Sequence, residues 1–231
     1  MTFLKFALCA LISITTNSYA SAPAMDAPKP EASSPNSHAH SKKGEQTDIT
    51  AGQSASALCQ GCHGADGNSY GPEWPNLAQQ NANYLAKQIH DFQSGARQDP
   101  TMSNMVAGLK ETDIRNISAF FEAQTIKTKV ATQSSVGKKI YQGGNELSRV
   151  PACAGCHGPH GAGNGPGAIP SLAGQKSAYV AKTLRDFKSN TRSNDRNQIM
   201  RDIAAKMSEA EIDAVALFLA GMGAEQPASP K

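Results

Sequence analysis

The pentapeptide Cys-x-x-Cys-His occurs twice in this 231-residue chain, as Cys-Gln-Gly-Cys-His at residues 59–63 and as Cys-Ala-Gly-Cys-His at residues 153–157. This motif is typical of covalent attachment of a c-type haem, in which two thiols add to the haem vinyl groups and the histidine reaches the iron. The spacing is demanding, because both sulfurs and the imidazole must address one macrocycle from a single turn of backbone. We therefore expect two covalently bound haem c groups. The expected thioether cysteines and proximal iron ligands are Cys59, Cys62, His63, Cys153, Cys156 and His157.

The two motifs belong to a longer internal repeat. They are offset by 94 residues, and the pattern Pro-x-Leu-Ala-x-Gln recurs at residues 75–80 and 170–175 with an offset of 95. A repeat of this kind indicates duplication of one structural unit. We predict one domain over residues 49–126 and a second over residues 131–223.

The N-terminal region has the pattern of an exported protein. Residues 1–20 combine a lysine, a short apolar stretch and a small-residue cleavage site, which predicts a cleaved signal peptide. The rival interpretation is an uncleaved anchor helix, but the apolar stretch is well short of the ~20 residues that a membrane span needs. Residues 21–48 are rich in Ala, Pro, Ser and charged residues, which predicts a disordered leader. We interpret His38 and His40 as part of this tail rather than as a metal site.

Helical periodicity is present in both copies, and we find no run that alternates like a strand. A middle helix and a last helix are predicted in each copy, and a first helix is predicted to run into each haem motif. The second copy carries an insertion over residues 143–151, so its first helix should end earlier. Ser208 with Glu211 predicts a capping box for its last helix, whereas the first copy has Lys110 at the serine position and needs a different cap. The fold class is therefore all-α.

The sixth iron ligand is expected to be a methionine sulfur, which closes the iron to other ligands and raises its reduction potential. The candidates are Met102 and Met105 in the first copy and Met200 and Met207 in the second. Met102 lies eight residues before Lys110, and Met200 lies eight residues before Ser208, so these two occupy matching places. Met207 instead aligns with a position that should face the core. We therefore predict Met102 and Met200.

Other interpretations exist for several of these residues. A duplicated Cys-x-x-Cys pair could hold zinc, act in redox chemistry or form disulfides. The histidine that follows directly in both copies favours haem. The fifth cysteine, Cys9, lies in the expected signal peptide, so no structural disulfide is predicted. His90 and His160 have no partner in the repeat and are interpreted as surface residues.

Two further sets of residues are left open between two roles. The carbonyls of Pro75 and Pro170 could accept a hydrogen bond from the ligating imidazoles, or these prolines could only shape a loop. Tyrosines, lysines and arginines recur in both copies and could hold haem propionates or lie on helix surfaces. The recurring residues are Tyr84, Lys87 and Arg97 in the first copy and Tyr179, Lys182 and Arg192 in the second.

Charge is distributed unequally between the copies. Residues 49–126 hold four basic and seven acidic residues, a net charge of −3, whereas residues 127–223 hold thirteen basic and seven acidic residues, a net charge of +6. Such a charge dipole could orient the molecule toward different redox partners. Nucleic-acid binding is not indicated, because no set of base-stacking aromatics accompanies the basic residues.

Taken together, these motifs closely resemble the dihaem cytochrome c4 family. The resemblance covers roughly residues 49–223. It includes Gly-Ala-Asp-Gly-Asn at residues 64–68, Pro-x-Leu-Ala-x-Gln in both copies, and Asn-Asp at residues 194–195 leading to Ile-Met-Arg at residues 199–201. The resemblance implies two tandem class I cytochrome c domains related by a pseudo-twofold axis. It also implies His/Met ligation, by His63 with Met102 and by His157 with Met200.

The same resemblance implies a periplasmic electron carrier, with no transmembrane segment after signal cleavage. Its donor would be a quinol-oxidising complex and its acceptor a terminal haem–copper oxidase. The alternative that we keep open is a dihaem enzyme, a peroxidase or a thiosulfate dehydrogenase, in which one iron has an exchangeable sixth ligand. The long leader departs from the compact family pattern and leaves room for a tether.

Overall fold

A computed structural model of the chain describes residues 47–128 and 134–223. The predicted signal peptide, nearly all of the predicted leader with His38 and His40, and the C-terminal tail lie outside the described residues. Within the described ranges the protein is helical, and its β-structure is limited to isolated bridges between Asn145 and Val150 and between Asn164 and Ile169. The all-α prediction is therefore confirmed. We refer to residues 47–128 as the first copy and to residues 134–223 as the second copy.

Each copy contains the predicted first, middle and last helices and a short helix before the last. The first copy comprises α1 (Ile49–Ala55), α2 (Ala57–His63), α3 (Ala82–Ser94), α4 (Pro100–Val106) and α5 (Glu111–Glu122). The second copy comprises α6 (Ser135–Gly143), α7 (Ala154–His157), α8 (Ser177–Lys188), a 3₁₀ turn (Arg196–Gln198), α9 (Ile199–Ala204) and α10 (Glu209–Gly221).

The first helix of the first copy is not continuous into the motif, so that part of the prediction is wrong. The helix breaks at Ser56, which is fully buried and separates α1 from α2. The Ser56 hydroxyl donates to the Gln53 carbonyl at 2.8 Å and accepts from the Gln60 amide at 3.0 Å. Such local side-chain bonds compete with the regular helical pattern. In the second copy α6 ends at Gly143, as the insertion predicted.

The first and last helices of each copy cross at a glycine. A Cβ atom placed on Gly52 in α1 would lie 2.1 Å from the carbonyl oxygen of Asn116 in α5. A Cβ atom on Gly137 in α6 would lie 1.9 Å from the carbonyl oxygen of Ala214 in α10. Only glycine permits this approach of two backbones. The crossing brings the helix that leads toward each haem motif against the last helix.

The last helices begin with different caps, as the sequence predicted. In α10 the Ser208 amide donates to the Glu211 carboxylate at 2.7 Å, and the Glu211 amide donates to the Ser208 hydroxyl at 3.3 Å. In α5 the Lys110 amide donates to the Asp113 carboxylate at 3.1 Å. A lysine side chain has no acceptor to return that bond, so only half of the box forms.

The apolar stripes predicted for the last helices face the cores. Ile114, Ile117, Phe120 and Phe121 of α5 are all buried, and so are Ile212, Val215, Phe218 and Leu219 of α10. On the middle helices, Leu85 and Phe92 of α3 and Val180, Leu184 and Phe187 of α8 are buried as well. Burial of these faces supplies the main favourable term in folding each copy.

The two copies meet through reciprocal bonds between residues that match in the repeat. The Gln80 side chain accepts from the amide of Ser171 at 2.8 Å and donates to its carbonyl at 2.9 Å. The Gln175 side chain does the same to the backbone of Asn76, also at 2.8 and 2.9 Å. Because Gln80 and Gln175 are repeat partners, each surface contacts its own equivalent, as a twofold relation requires.

Candidate haem sites

The haem motif of the first copy is formed by the last turns of α2. Cys59 and Cys62 are half-buried, and His63 at the end of the helix is buried. The Nδ1 atom of His63 lies 2.8 Å from the carbonyl oxygen of Pro75. The loop that contains Pro75 therefore supplies the acceptor that fixes the plane of the imidazole ring.

The motif of the second copy repeats this arrangement. Cys153 precedes α7, His157 at the end of that helix is buried, and its Nδ1 atom lies 3.0 Å from the carbonyl oxygen of Pro170. Of the two roles left open for Pro75 and Pro170, hydrogen-bond acceptor is therefore the one observed. With Nδ1–H donating to a carbonyl, Nε2 is the nitrogen left to bind a metal.

Burial favours the neutral form of both histidines. It lowers the pKa of His63 and of His157, and the opposing effect of the proline carbonyls is smaller. A neutral imidazole is the form that binds a metal. Both residues are thus held in the tautomer and protonation state that an iron ligand requires, and their role as ligands stays a prediction.

Two of the four motif cysteines, Cys59 and Cys153, do not have the surroundings of zinc ligands or of redox thiols. Burial raises the pKa of the Cys59 thiol and raises that of Cys153 to about 11, and thiolate is the form that binds zinc or attacks a disulfide. In the described ranges the four thiols form no disulfide, and no group of three or more His, Cys, Asp or Glu side chains could hold a metal ion. The thiols therefore suit thioether bonds to a haem.

A cavity of about 390 Å³ lies beside the motif of the second copy. Cys153, Cys156, His157 and Met200 all line it, which brings the predicted haem residues of this copy to one space. Its walls are largely apolar, with Leu172, Val180, Leu184 and Ile203 among them. An apolar slot with two thiols, an imidazole and a thioether fits a covalently attached haem.

The methionines of each copy differ in burial. Met200 is half-buried against the core of the second copy, whereas Met207 is 3% exposed and belongs to that core, as predicted. Met207 also lines the cavity, so a variant of each residue is needed to assign the ligand. In the first copy Met102 is half-buried and Met105 is 39% exposed. Met102 and Met200 therefore stay the predicted sixth ligands.

The two histidines outside the motifs lie at the surface. His90 is half-exposed, and its Nε2 atom lies 3.2 Å from the Glu111 carboxylate. His160 is exposed on the loop that follows the second motif.

Arg97 and Arg192 both reach across the boundary between the copies. Arg97 donates to the hydroxyl of Tyr179 at 3.2 Å, and Arg192 donates to the hydroxyl of Tyr84 at 3.0 Å. Arg192 is 7% exposed, so the helix-surface interpretation is wrong for this residue. Each guanidinium also lies over a phenylalanine of its own copy, 4.6 Å from the ring centroid.

Gln88, for which the sequence offers no prediction, lies at the centre of this boundary. Its side-chain oxygen accepts from Arg97, Arg192 and Asn194 at 2.9, 2.9 and 3.0 Å. The only signal in the sequence was that tyrosine and arginine recur at a constant offset, which is what a twofold boundary leaves in a duplicated chain. Gln88 itself has no glutamine at its matching position.

Comparison with known proteins identifies the family. The Cytochrome c family model matches residues 49–124 and 134–223. Cytochrome c4 of Pseudomonas aeruginosa is 41% identical over 178 residues, which are 76% of this chain and 89% of that protein. The chain belongs to the dihaem cytochrome c4 family. The crystal structure of reduced recombinant cytochrome c4 from Pseudomonas stutzeri superposes with a TM-score of 0.74 at 38% identity, covering 77% of this chain and all of that one.

A relative with a different name matches as well. The "Thiosulfate dehydrogenase electron acceptor" of Stutzerimonas stutzeri is 36% identical over 178 residues, 74% of this chain and 82% of that protein. Membership of the cytochrome c4 family means two tandem cytochrome c domains, two covalently bound haem c groups and a role in electron transfer with redox partners. Among the described helices, none is long and apolar enough to cross a membrane.

Proposed function

We propose that this protein is an exported electron carrier with two haems of closed coordination, His63 and Met102 in the first copy and His157 and Met200 in the second. The observation that carries the proposal is the cavity of the second copy, where Cys153, Cys156, His157 and Met200 line one apolar space. The first copy repeats the motif, the buried histidine and the proline carbonyl.

Each haem, when bound, supplies an iron that exchanges one electron between its ferrous and ferric states. The chain's own residues keep that exchange simple. The proline carbonyls hold the imidazole rings in place. The sulfurs of Met102 and Met200 would occupy the sixth position of each iron. The apolar walls of the cavity exclude water, so little of the surroundings rearranges when the charge changes. Such a site favours electron transfer over substrate chemistry.

The proposed compartment and partners follow from the family and from the sequence. The predicted signal peptide over residues 1–20 supports a periplasmic location, where haem is attached to Cys-x-x-Cys-His motifs. We propose a quinol-oxidising complex as electron donor and a terminal haem–copper oxidase as acceptor. The difference in net charge between the copies supports two separate docking faces.

A second candidate rests on the relative named as an electron acceptor of thiosulfate dehydrogenase. It favours a sulfur-oxidising enzyme as the donor, with this chain still acting as a carrier. The stronger form of this alternative is that the chain is itself a dihaem enzyme, a thiosulfate dehydrogenase or a peroxidase. An enzyme of either kind needs one iron whose sixth position opens to substrate.

Carbon monoxide separates a carrier from an enzyme, because it binds ferrous haem only where the sixth position is open. We expect the reduced protein to bind substantially less than one equivalent per chain. The same preparation, incubated with thiosulfate alone or with peroxide and an electron donor, should show no turnover. Rapid binding of one equivalent, or turnover with either substrate, would contradict the proposal. Reduction by thiosulfate only when a thiosulfate dehydrogenase is added would replace the proposed donor and leave the carrier role standing.

A further inference from the structure

We propose that the first copy completes the haem site of the second copy. Lys87 and Tyr84 of α3, together with Arg192, form a cationic end of the second cavity that takes a carboxylate of the haem, and Lys87 raises the reduction potential of that centre. This inference rests on the proposed function, in that it places a haem in the cavity.

The cavity of the second copy is built from both copies. Most of its lining comes from the second copy, but Tyr84, Lys87 and Gln88 line it from α3 of the first. The Lys87 ammonium donates to the carbonyl of Asn194 at 2.9 Å, which fixes it against the second copy. It is also paired with the carboxylate of Asp91, one turn further along α3.

Arg192 indicates that this end of the cavity takes an anion. It is 7% exposed, and its guanidinium contacts the side chains of Asn194 and Gln88 and the hydroxyls of Tyr84 and Tyr179, none of which is a carboxylate. A buried charge is normally compensated by an opposite charge, since its desolvation is costly. The carboxylate of Asp91 is already shared between Lys87 and Asn194.

The potential at this boundary is positive. Burial alone would raise the pKa of Tyr179, but the charges of Arg97 and Arg192 outweigh burial and lower it to about 7. Arginine and lysine bind carboxylates through charge-assisted hydrogen bonds. Haem carries carboxylate side chains at its polar edge, and the cavity lined by the Cys153 and Cys156 thiols is also lined by Lys87 and Arg192. The carboxylate of Asp195 lines it too, but that group is paired with Arg201 at 2.7 Å.

The chain provides a matched control for Lys87. Its repeat partner, Lys182, makes the same pair with a carboxylate four residues on, that of Asp186. The Lys182 side chain is 61% exposed against 36% for Lys87, and it does not line the cavity. The two lysines therefore share sequence context and differ in whether they face the second haem site.

Removal of the Lys87 charge should lower the potential of the second centre. A nearby positive charge disfavours the ferric state, which carries one more positive charge than the ferrous state. In Lys87→Gln we expect the oxidised-to-reduced ratio of the second centre, at fixed ambient potential, to rise roughly three- to tenfold, where tenfold corresponds to about 59 mV. In Lys87→Arg and Lys182→Gln it should change by less than about twofold, because the first keeps the charge and the second is exposed.

The test is a spectroelectrochemical titration of the complete two-haem protein. The two steps are assigned by NMR, through contacts of haem methyl protons with Leu184, which lines the second cavity. A shift confined to the second centre in Lys87→Gln supports the inference. No shift, an equal shift of both centres, or an equal effect of Lys182→Gln overturns it. Unchanged haem content and thermal unfolding in all variants exclude a folding defect.

Two further measurements test whether a free anion occupies the cationic end and whether the carrier proposal itself fails. If a free anion rather than the haem carboxylate occupied the cationic end, added phosphate at constant ionic strength would move the wild-type potential, and the inference would fail. A wild-type potential that does not respond to phosphate supports it. Carbon monoxide binding of each variant is read in parallel. If the wild-type protein rapidly binds one equivalent of carbon monoxide, the carrier proposal fails, whatever the shift in potential.

Discussion

The two copies share the parts that position the haem motif and differ in the loop before that motif. Both have a glycine where the first and last helices cross, at Gly52 and Gly137, and both have a buried histidine bonded to a proline carbonyl. The second copy adds a loop that its sequence insertion creates. Asn145 and Ser148 of that loop donate to the Glu211 carboxylate at 2.6 and 2.8 Å.

The comparison separates the features that haem attachment constrains from those that vary between the copies. Covalent attachment demands the same local geometry in both copies, and the buried histidine with its proline acceptor repeats. The net charge does not repeat, since it changes from −3 over residues 49–126 to +6 over residues 127–223. The boundary between the copies has both repeated and unrepeated contacts. Gln80 and Gln175 make reciprocal bonds, whereas Gln88 has no glutamine at its matching position.

The largest expected effect comes from the methionines, which test whether both copies close their irons alike. Met102→Ala and Met200→Ala should each keep both haems attached but open one iron. Carbon monoxide binding to the reduced protein should rise to about one equivalent per chain, and the potential of that centre should fall. Spectroscopic titration with carbon monoxide measures the first change.

Met105 and Met207 provide the matched controls. Met105→Ala should change nothing, since its side chain is 39% exposed. Met207→Ala should destabilise the second copy by about 2–5 kcal/mol, because it empties part of a core, but it should not open the iron. Carbon monoxide binding by Met207→Ala and not by Met200→Ala would assign Met207 as the ligand in place of Met200.

The next largest effect concerns the helix crossings, which we expect to be equivalent. Gly52→Ala and Gly137→Ala should each destabilise their own copy by about 3 kcal/mol or more, because the added methyl meets a backbone carbonyl that cannot move aside. Gly143→Ala, on the same helix as Gly137, is the control, since a Cβ there meets nothing within 4 Å. Hydrogen exchange of α5 and α10 amides measures each copy separately. Tolerance of either crossing substitution would break the equivalence.

A smaller effect distinguishes the second copy, through the loop that Glu211 holds. Burial would raise the pKa of Glu211, but bonds from Ser208, Ser148 and Asn145 outweigh it and lower the pKa to about 2. A carboxyl with a lowered pKa contributes stability above its unfolded value, and this contribution is lost as pH falls toward the folded value. We therefore expect α10 to lose up to about 3 kcal/mol of exchange protection between about pH 4.5 and pH 2.

Glu211→Gln checks that assignment. It should lower the protection of α10 at neutral pH by about 1–2 kcal/mol and remove most of the loss between about pH 4.5 and pH 2. The protection of α5 in the same samples serves as the internal reference. An unchanged acid response of α10 in Glu211→Gln would assign the loss to another group.

The smallest expected effect concerns the charge difference between the copies. An anionic oxidant should react faster through the basic second copy and a cationic one through the acidic first copy. Both rates should fall by roughly two- to tenfold between about 0.01 and 0.15 M salt, because added salt shortens the Debye length and screens the charge of each copy. Stopped-flow measurements with inorganic oxidants of either charge read this directly. Rates that do not depend on ionic strength for either oxidant would contradict the proposal of two docking faces.

The sequence predicted those features that repeat as recognisable motifs. The haem motifs, the insertion that ends α6 at Gly143 and the capping box of Ser208 with Glu211 could all be read directly, because each depends on residues close together in the chain. The break at Ser56 was missed, since a helix pattern does not reveal a serine that bonds to its own backbone.

Contacts between the copies could not be predicted in the same way. Tyr84 and Arg97 recur at the right offset, but nothing in a single chain shows that each meets the partner of the other across a twofold boundary. Gln88 has no counterpart in the repeat and left no signal. Cavity lining by Lys87 arises from packing between residues distant in sequence, which only a three-dimensional structure reveals.

The central claim is that both irons are held between a histidine and a methionine. It is tested most directly by the absorption spectrum of the fully oxidised protein, in which a methionine sulfur bound to ferric haem gives a distinct charge-transfer band. We predict this band at the intensity of two irons per chain, with half of it lost in Met102→Ala and half in Met200→Ala. A band of one-iron intensity in the wild-type protein, or none, would contradict the account.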